Sequence, residues 1–175
     1  MILRHTTQVG SPVIRMRAKE VSNPKAESTK QIVKNLVDSM RYHDLVGMAG
    51  PQIGKGVRIF VTEVRKTKFR KGTTIKKDPL RIFINPKIIS VSRREISGWE
   101  GCGSVVSGGL FGKVERPASV VVKAFDEKGN TFKLEAEGLL ARVIQHEVDH
   151  LNGIVFVDKA DTKTYMERSE YLKLK

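Results

Sequence analysis

The chain has 175 residues, of which 39% are hydrophobic, and a single cysteine. This length predicts one domain, residues 1–175, with a core of its own. No stretch approaches the roughly 18 apolar residues of a membrane span, and the N-terminus lacks a signal-peptide core, so we expect a cytoplasmic protein with no membrane partner. A lone cysteine, Cys102, excludes an internal disulfide and fits a reducing compartment.

The net charge of +13, from 32 Lys and Arg against 19 Asp and Glu, is large for this size. The charge is concentrated in segment 65–78, which we name the basic segment; its cations are Arg65, Lys66, Lys68, Arg70, Lys71, Lys76 and Lys77. Such a segment is either a solvated face or a contact to a polyanion such as ribosomal RNA. Only Phe69 lies among these cations, so base stacking is not indicated.

In chain order, apolar residues first recur at helical spacing over 28–41, which predicts an amphipathic helix with Ser28 or Thr29 as its cap. The basic segment is predicted to be an exposed loop or hairpin. Strands are predicted at 57–64, 81–84, 87–91, 119–125, 131–135 and 154–157, with the second and third separated by Asn85-Pro86 and the fourth and fifth joined as a hairpin. Asp161 or Thr162 is predicted to cap a last helix that ends near Lys173.

A second amphipathic helix is predicted over 138–151, between Gly138 and Asn152-Gly153. It carries His146-Glu147-Val148-Asp149-His150, the H-E-x-x-H pattern. Histidines four residues apart point the same way on a helix, so their imidazoles can share one metal ion while Glu147 reaches a bound water. Elements in this order predict an α+β fold: this central helix packed on antiparallel sheets, an N-terminal amphipathic helix and a C-terminal helix.

A third metal ligand is expected in Trp99-Glu100-Gly101-Cys102-Gly103-Ser104. A lone cysteine is often an inert core residue, but Cys102 lies between two glycines and two residues after an acid. Cysteine with two histidines leaves a fourth tetrahedral position open, as in catalytic sites.

A third segment, Gly47-Met48-Ala49-Gly50-Pro51-Gln52-Ile53-Gly54, joins these two in the order and spacing of one family. The chain resembles the peptide deformylase family over nearly its whole length. The resemblance implies an amidohydrolase that releases formate from the N-formyl-methionyl end of nascent peptides. It also implies that Cys102, His146 and His150 hold one Fe²⁺, or Zn²⁺, Ni²⁺ or Co²⁺ in its place.

By the same resemblance, hydroxide formed on the metal attacks the formyl carbon, with Glu147 as general acid/base. The amide of Gln52 and the backbone N–H of Gly103 are the expected oxyanion donors. Val46, Leu139 and Val143 match the methionine side-chain pocket, and Gly47 matches a position whose backbone pairs with the peptide. Leu139 and Val143 could equally be ordinary core. Glu100 either supports the metal ligands or lines the pocket, whereas Asp149 is expected to form a local salt bridge.

The chain departs from the family pattern at four places. Leu45 and Gly50 replace a glycine and an alanine, and Gly103 replaces a leucine. The fourth place is the stretch after Ser104, where Val106 replaces a proline and the usual arginine is absent, whether its position is Gly109 or Phe111. These changes predict a competent metal site with an altered or weakened peptide groove.

Two other functions are compatible with parts of the sequence. A zinc protease would need a downstream third ligand, for which Glu167 or Glu170 would serve, but this leaves the Cys102 segment unexplained. A deformylase-like protein of weak activity that binds the ribosome or RNA would explain the charge, but not the intact ligands or Glu147.

Overall fold

The computed structural model describes residues 5–68 and 76–174. Within these ranges the helices are α1 (Pro12–Arg15), α2 (Glu27–Tyr42), α3 (Gly138–Leu151) and α4 (Arg168–Lys173). The strands are β1 (Gly47–Ala49), β2 (Ile59–Val64), β3 (Asp78–Val91), β4 (Glu95–Gly101), β5 (Leu110–Pro117), β6 (Ser119–Phe125), β7 (Thr131–Glu137) and β8 (Asp161–Glu167). None of the helices in these ranges is both long and apolar enough to cross a bilayer.

The strands form two antiparallel sheets. The larger sheet has the order β1-β2-β3-β6-β7, and the smaller one the order β4-β5-β8. The predicted hairpin is confirmed as β6 and β7, in register from Ser119 opposite Glu137 to Phe125 opposite Thr131. Strands β1 to β7 follow one another between α2 and α3 with no α-helix among them and pair in antiparallel sheets, so the predicted α+β class is confirmed.

Helix α3 lies between the sheets and contacts them in different ways. Toward the larger sheet it presents apolar residues such as Ile144 and Leu151, which share a buried cluster with Phe60 and Phe83. Toward the smaller sheet it presents Arg142, which donates to the carbonyl oxygen of Val114 at 2.9 Å. Contacts with both sheets therefore hold α3 in place, and with it His146 and His150 near its C-terminal end.

Helix α2 confirms the predicted amphipathic helix, but its predicted cap is wrong. The N-cap is Ala26, so Ser28 and Thr29 lie inside the first turn. The Thr29 hydroxyl instead donates to the carbonyl oxygen of Asn23, 2.9 Å away. The buried face of α2 packs with residues of β1, β2 and β3.

The strand break predicted at Asn85-Pro86 is also wrong, because β3 runs through it. Asn85 adopts φ 51°, and the register between β3 and β6 shifts between Ile84 and Lys87. The Asn85 side chain accepts from the N–H of Val21 and donates to its carbonyl oxygen, both at 2.8 Å. A bulge tied down by these bonds absorbs the proline that would otherwise interrupt the ladder.

Two predictions near the C-terminus are wrong. Segment 154–157 is not a strand: a 3₁₀ turn, Phe156–Asp158, forms there, and the Asp158 carboxylate accepts from the Val155 N–H at 2.9 Å. Asp161 begins a strand and does not cap a helix, because β8 pairs with the exposed edge of β5. The predicted last helix is confirmed only as α4, with Glu167 as its N-cap.

Candidate metal-dependent active site

A cavity of about 860 Å³ joins the three segments that the sequence analysis singled out. Its walls include Gly47 and Gln52, Cys102, and His146 and Glu147 of α3. Strand β1, the 3₁₀ turn Gly50–Ile53 and the end of β4 bring these residues together around one face of α3.

Three potential metal ligands converge in this cavity. One atom each of Cys102, His146 and His150 lies within 4.8 Å of the others. The Cys102 sulfur is 3.2 Å from His150 Nε2, and the centroids of the two imidazole rings are 4.9 Å apart. Among the described residues, His150 Nδ1 is buried without a hydrogen-bond partner. A soft thiolate and two imidazoles at this spacing suit a single transition-metal ion.

The electrostatics of the cluster favour the ligand form of the cysteine. Burial opposes ionisation of the Cys102 thiol, but the nearby His150 ring and hydrogen bonds from both histidines outweigh it. The pKa of this thiol is therefore held well below its ordinary value. Only a deprotonated sulfur coordinates metal strongly, so the cluster is prepared for an ion.

The role of Glu100, which the sequence left open, is set by its contacts. Its Oε2 lies 2.9 Å from His146 Nδ1, which leaves Nε2 of that ring for a metal. Arg116 donates to both carboxylate oxygens, at 2.6 and 2.9 Å, and Arg142 donates to Oε1 at 2.7 Å. Burial would raise the pKa of Glu100, but Arg116 and His146 hold it far below its ordinary value. Glu100 lines the cavity wall too, but its bonds orient a ligand ring.

Asp149 forms salt bridges, but its partners lie 33 and 10 residues away and so are not local. Its carboxylate accepts from Arg116 Nη1 and from Lys159 Nζ, each at 2.8 Å. Arg116 therefore links Glu100 of β4, which holds the His146 ring, to Asp149 of α3, the helix that carries both histidines. Sequence reasoning missed Arg116, because no motif surrounds it and strand β5, which positions it, was not predicted.

Glu147 is buried in the cavity beside the metal cluster, and its Oε2 has no hydrogen-bond partner among the residues described. Burial raises the pKa of Glu147 to about 7. Any side chain at Gly47 would collide with this carboxylate, since an ideal Cβ there would lie 2.5 Å from Glu147 Oε1 and 2.7 Å from Val143 Cγ1. Glycine at position 47 thus leaves room for a carboxyl group of near-neutral pKa, as a general base requires.

The side chain of Gln52 is oriented by the backbone. Its Oε1 accepts from the N–H of Ala49 at 2.8 Å, which turns Nε2 toward the Cys102 sulfur, 3.6 Å away. Gly50 allows the chain to turn here, because a Cβ at that position would come within 2.7 Å of the carbonyl oxygen of Val57. The amide thus presents a donor to the centre of the cavity.

The residues predicted to bind the peptide, together with the predicted oxyanion donor Gly103, are only partly brought together. Val46, Gly47, Gly103 and Val143 line the cavity, whereas Leu139 is not among its lining residues. Leu139 lies near the start of α3, about two turns before His146, which places it away from the cluster.

The stretch 105–109, which departs most from the family pattern, has an arginine of α4 beside it. Val106 is 70% exposed and Gly109 has no side chain, but Arg168 of α4 lines the cavity. Its guanidinium donates to the carbonyl oxygens of Ser107 and Gly108, at 2.9 and 3.1 Å. An ideal Cβ on Gly109 would lie 3.9 Å from Arg168 Nη2. Arg168 of α4 therefore places a positive charge beside this loop, although the loop itself has no arginine.

The alternative third ligands of a zinc protease lie elsewhere. The Glu167 carboxylate accepts from the Ser169 N–H at 2.6 Å, as a helix cap. Glu170 pairs with Lys173 at 2.7 Å. The cavity instead contains thiol and imidazole ligands beside a buried carboxylate. This arrangement defines the class of protein as a metal-dependent hydrolase whose metal ligands include Cys102.

Comparison with known proteins narrows this class. The family model described as polypeptide deformylase matches residues 3–165. The chain belongs to the polypeptide deformylase family. The peptide deformylase of Dictyoglomus thermophilum is 37% identical over 163 residues, 93% of this chain and 96% of that protein. That of Carboxydothermus hydrogenoformans is 40% identical over 164 residues, 92% of this chain and 95% of that protein.

Solved structures agree with the fold. A class I type b peptide deformylase from Acinetobacter baumannii, in its Met-Ala-Ser-bound crystal structure, gives a TM-score of 0.84 at 29% identity. The match covers 91% of this chain and 98% of that one. The Thermotoga maritima peptide deformylase gives 0.77 at 32% identity, over 92% and 99% of the two chains.

Proposed function

We propose that this protein is a metal-dependent peptide deformylase that removes the formyl group from the N-formyl-methionyl end of nascent polypeptides. The observation that carries the proposal is the placement of the buried Glu147 carboxylate beside the Cys102, His146 and His150 cluster in one open cavity. Membership of the deformylase family, over most of the chain, supports the substrate.

Cys102, His146 and His150 would hold the ion. We propose ferrous iron as the native metal, with zinc, nickel or cobalt accepted by the same ligands. When bound, a divalent cation supplies Lewis acidity that lowers the pKa of water and polarises the formyl carbonyl. Glu100 keeps the His146 ring in place through its bond to Nδ1.

The remaining chemistry belongs to the protein's own groups. Glu147 accepts a proton from the attacking water and later donates it to the leaving amine. As the formyl carbon becomes tetrahedral, Gln52 Nε2 and the N–H of Gly103 donate to the oxyanion. One such donor typically lowers the barrier by about 3 kcal/mol, because it is oriented before the charge develops.

The peptide is proposed to bind along β1. This strand is an edge of the larger sheet, so Gly47 can pair with an extended peptide as an added strand. Val46 and Val143, which line the cavity, would contact the methionine side chain. Leu139 does not line the cavity, so it would contact the methionine side chain only after the site rearranges.

A cytoplasmic location and a contact with the ribosome complete the proposal. The net charge of +13 and the exposed Lys68, Lys76 and Lys77 of the basic segment support an encounter with ribosomal RNA. Phe69, Arg70 and Lys71 of this segment lie outside the described residues.

The decisive experiment is formate release from a formyl-Met-Ala-Ser peptide by protein loaded anaerobically with Fe(II). We expect rapid release by the wild type and a rate lower by roughly a hundredfold or more in Glu147→Ala, which should keep its metal and fold. Glu135→Ala, an exposed carboxylate on β7, is the matched control and should behave as the wild type. Absence of formate despite bound metal would favour the ribosome-binding alternative, and near-normal turnover in Glu147→Ala would refute its role.

A further inference from the structure

We propose that Thr6 and Gln8, in the segment before α1, are positioning residues that hold the Gly103 N–H toward the reacting carbonyl. The inference rests on the proposed function, and it extends that function to a part of the chain that contains none of its motifs. Thr6, Gln8 and Gly103 line the same cavity as the metal cluster.

Both side chains bind the backbone of Gly103 directly. The Thr6 hydroxyl and Gln8 Nε2 each donate to the Gly103 carbonyl oxygen, the latter at 2.8 Å. Gln8 Nε2 also donates to Thr6 Oγ1 at 2.9 Å, which orients the hydroxyl. Gln8 Oε1 accepts from the Ser107 N–H at 2.9 Å. One side chain therefore ties both ends of the loop 103–107 to the N-terminal segment.

These bonds matter because Gly103 has no side chain to restrict its backbone. Its N–H belongs to the peptide unit shared with Cys102, and its carbonyl belongs to the unit shared with Ser104. The first unit is fixed by the Cys102 carbonyl, which accepts from the Val105 N–H at 3.1 Å. Thr6 and Gln8 fix the second unit. The two dihedral angles between these units, and hence the direction of the N–H, are set from both sides.

The space beside Gly103 is limited. An ideal Cβ on Gly103 would lie 3.3 Å from Leu45 Cδ1, so the end of that side chain would have to shift by a few tenths of an ångström, and 3.4 Å from Thr6 Cγ2, which is an ordinary contact. Because Gly103 has no side chain, the hydrogen bonds from Thr6 and Gln8 supply the restriction of its backbone that a side chain would add.

The same segment is also attached to the other proposed oxyanion donor. The N–H of Thr7 donates to the carbonyl oxygen of Gln52 at 2.9 Å, and the N–H of Val9 donates to that of Ser104 at 2.8 Å. The N-terminal segment therefore bridges the Gln52 turn and the Gly103 loop. Because it fixes the spacing between two donors that must reach one oxygen, it acts on the transition state more than on substrate binding.

The test compares kcat and KM for formate release in Thr6→Val and Gln8→Glu. Thr6→Val removes the hydroxyl at constant shape, and Gln8→Glu replaces the donor to Gly103 with an acceptor. We expect each to lower kcat roughly tenfold, because a small misplacement of a preorganised group is costly, with KM within about twofold of wild type. Metal content and Tm should not change. Thr6→Ser, which keeps the hydroxyl, should restore kcat.

Thr131→Val is the matched control: it makes the same change at an exposed residue of β7 that does not line the cavity. It should turn over like the wild type. Formate release by the wild type establishes the proposed function independently of the variants. An active wild type with unchanged kcat in Thr6→Val and Gln8→Glu would overturn this inference alone. Parallel losses of Tm or metal would assign the two residues a folding role and would also overturn it.

Discussion

Glu147 combines burial with nearness to two imidazoles. Burial raises the pKa of its carboxyl group to about 7 from 4.5, against the opposing effect of His146 and His150. A cation held by the cluster would lower this pKa, because it favours the charged carboxylate. With a cation bound, the pKa of Glu147 is thus expected below about 7, so that the group is a carboxylate able to accept a proton at neutral pH.

This expectation determines how the rate depends on pH. Below its pKa, Glu147 is protonated and cannot accept a proton, so kcat/KM should rise tenfold per pH unit and level off above that pKa. We expect the bend below about pH 7 in a pH–rate profile of the Fe(II) enzyme, because the bound cation lowers the pKa of Glu147. The small residual rate of Glu147→Gln should lack this bend. A bend of the same position in that variant would assign the ionisation to another group.

Cys102 should determine whether metal is retained. Removing the thiolate leaves two imidazoles, so Cys102→Ala is expected to lose its metal on dialysis and with it part of the stability of the holoprotein. The measurement is metal content by elemental analysis beside Tm with and without added metal.

Ser104→Ala is the control for this change. Ser104 is buried two residues away, and its hydroxyl has no partner among the described residues. The variant should retain a full equivalent of metal. Retention of a full equivalent in Cys102→Ala would exclude the sulfur as a ligand.

At the scale of elements, two glycines bound α3 and so set which residues reach the cavity. Gly138 has φ 59° and Gly153 has φ 77°, a region that other residues adopt at a cost. Their surroundings differ: a Cβ on Gly138 would meet nothing within 4 Å, whereas one on Gly153 would lie 2.4 Å from the carbonyl oxygen of Arg15. The chain just after α3 is thereby packed against the C-terminal end of α1.

The two glycines provide a matched pair of variants. Gly138→Ala should cost only the dihedral penalty, about 1–2 kcal/mol of unfolding free energy. Gly153→Ala adds a backbone collision and should cost about 3 kcal/mol or more. Urea unfolding of both variants measures the difference. Equal losses would mean that the backbone around Arg15 moves aside without cost.

Some helices and strands can be predicted from the periodic pattern of apolar residues in the sequence, and others cannot. The amphipathic helices and the β6–β7 hairpin are predictable, because one face of each is buried and their pattern is local. Strands β4, β5 and β8 are not predictable, because their pairing partners decide whether they form. Residues 161–167 are mostly charged and polar, but they pair with the edge of β5. The break expected at Asn85-Pro86 fails for the same reason, because a bond to Val21 stabilises the bulge.

At the scale of the whole molecule, the charge of +13 is the dominant property. If the basic segment contacts ribosomal RNA, cosedimentation with ribosomes should weaken steeply with salt, by roughly a hundredfold in affinity between about 50 and about 200 mM for four phosphate contacts. Neutralising Lys66, Lys68, Arg70 and Lys71 should flatten this dependence. Because Lys68 also lines the active-site cavity, formate release from a short peptide is expected to stay unchanged in the variant that keeps Lys68.

The control for this experiment removes the same charge elsewhere. Neutralising Lys30 and Lys34 of α2 with Lys123 and Lys133 of the larger sheet, all exposed, gives the same net charge. Equal weakening in both variants would mean that binding follows total charge and not the basic segment. Cosedimentation that ignores salt would contradict an electrostatic contact.

The sequence by itself predicts the chemistry of the site, partly from the residue types and partly from the resemblance to the family. Two histidines and a glutamate on one predicted helix, a cysteine between glycines and the Gly-Pro-Gln turn predict the ligand set and the acid/base, because the side chains that bind metal and move protons are few. Only the tertiary structure decided what holds these groups. The supporting contacts join residues 16 to 97 positions apart in the chain: Arg116 with Glu100, Arg168 with Gly108, and Thr6 and Gln8 with Gly103. Such contacts leave no local pattern, since each depends on which strands and loops meet in space.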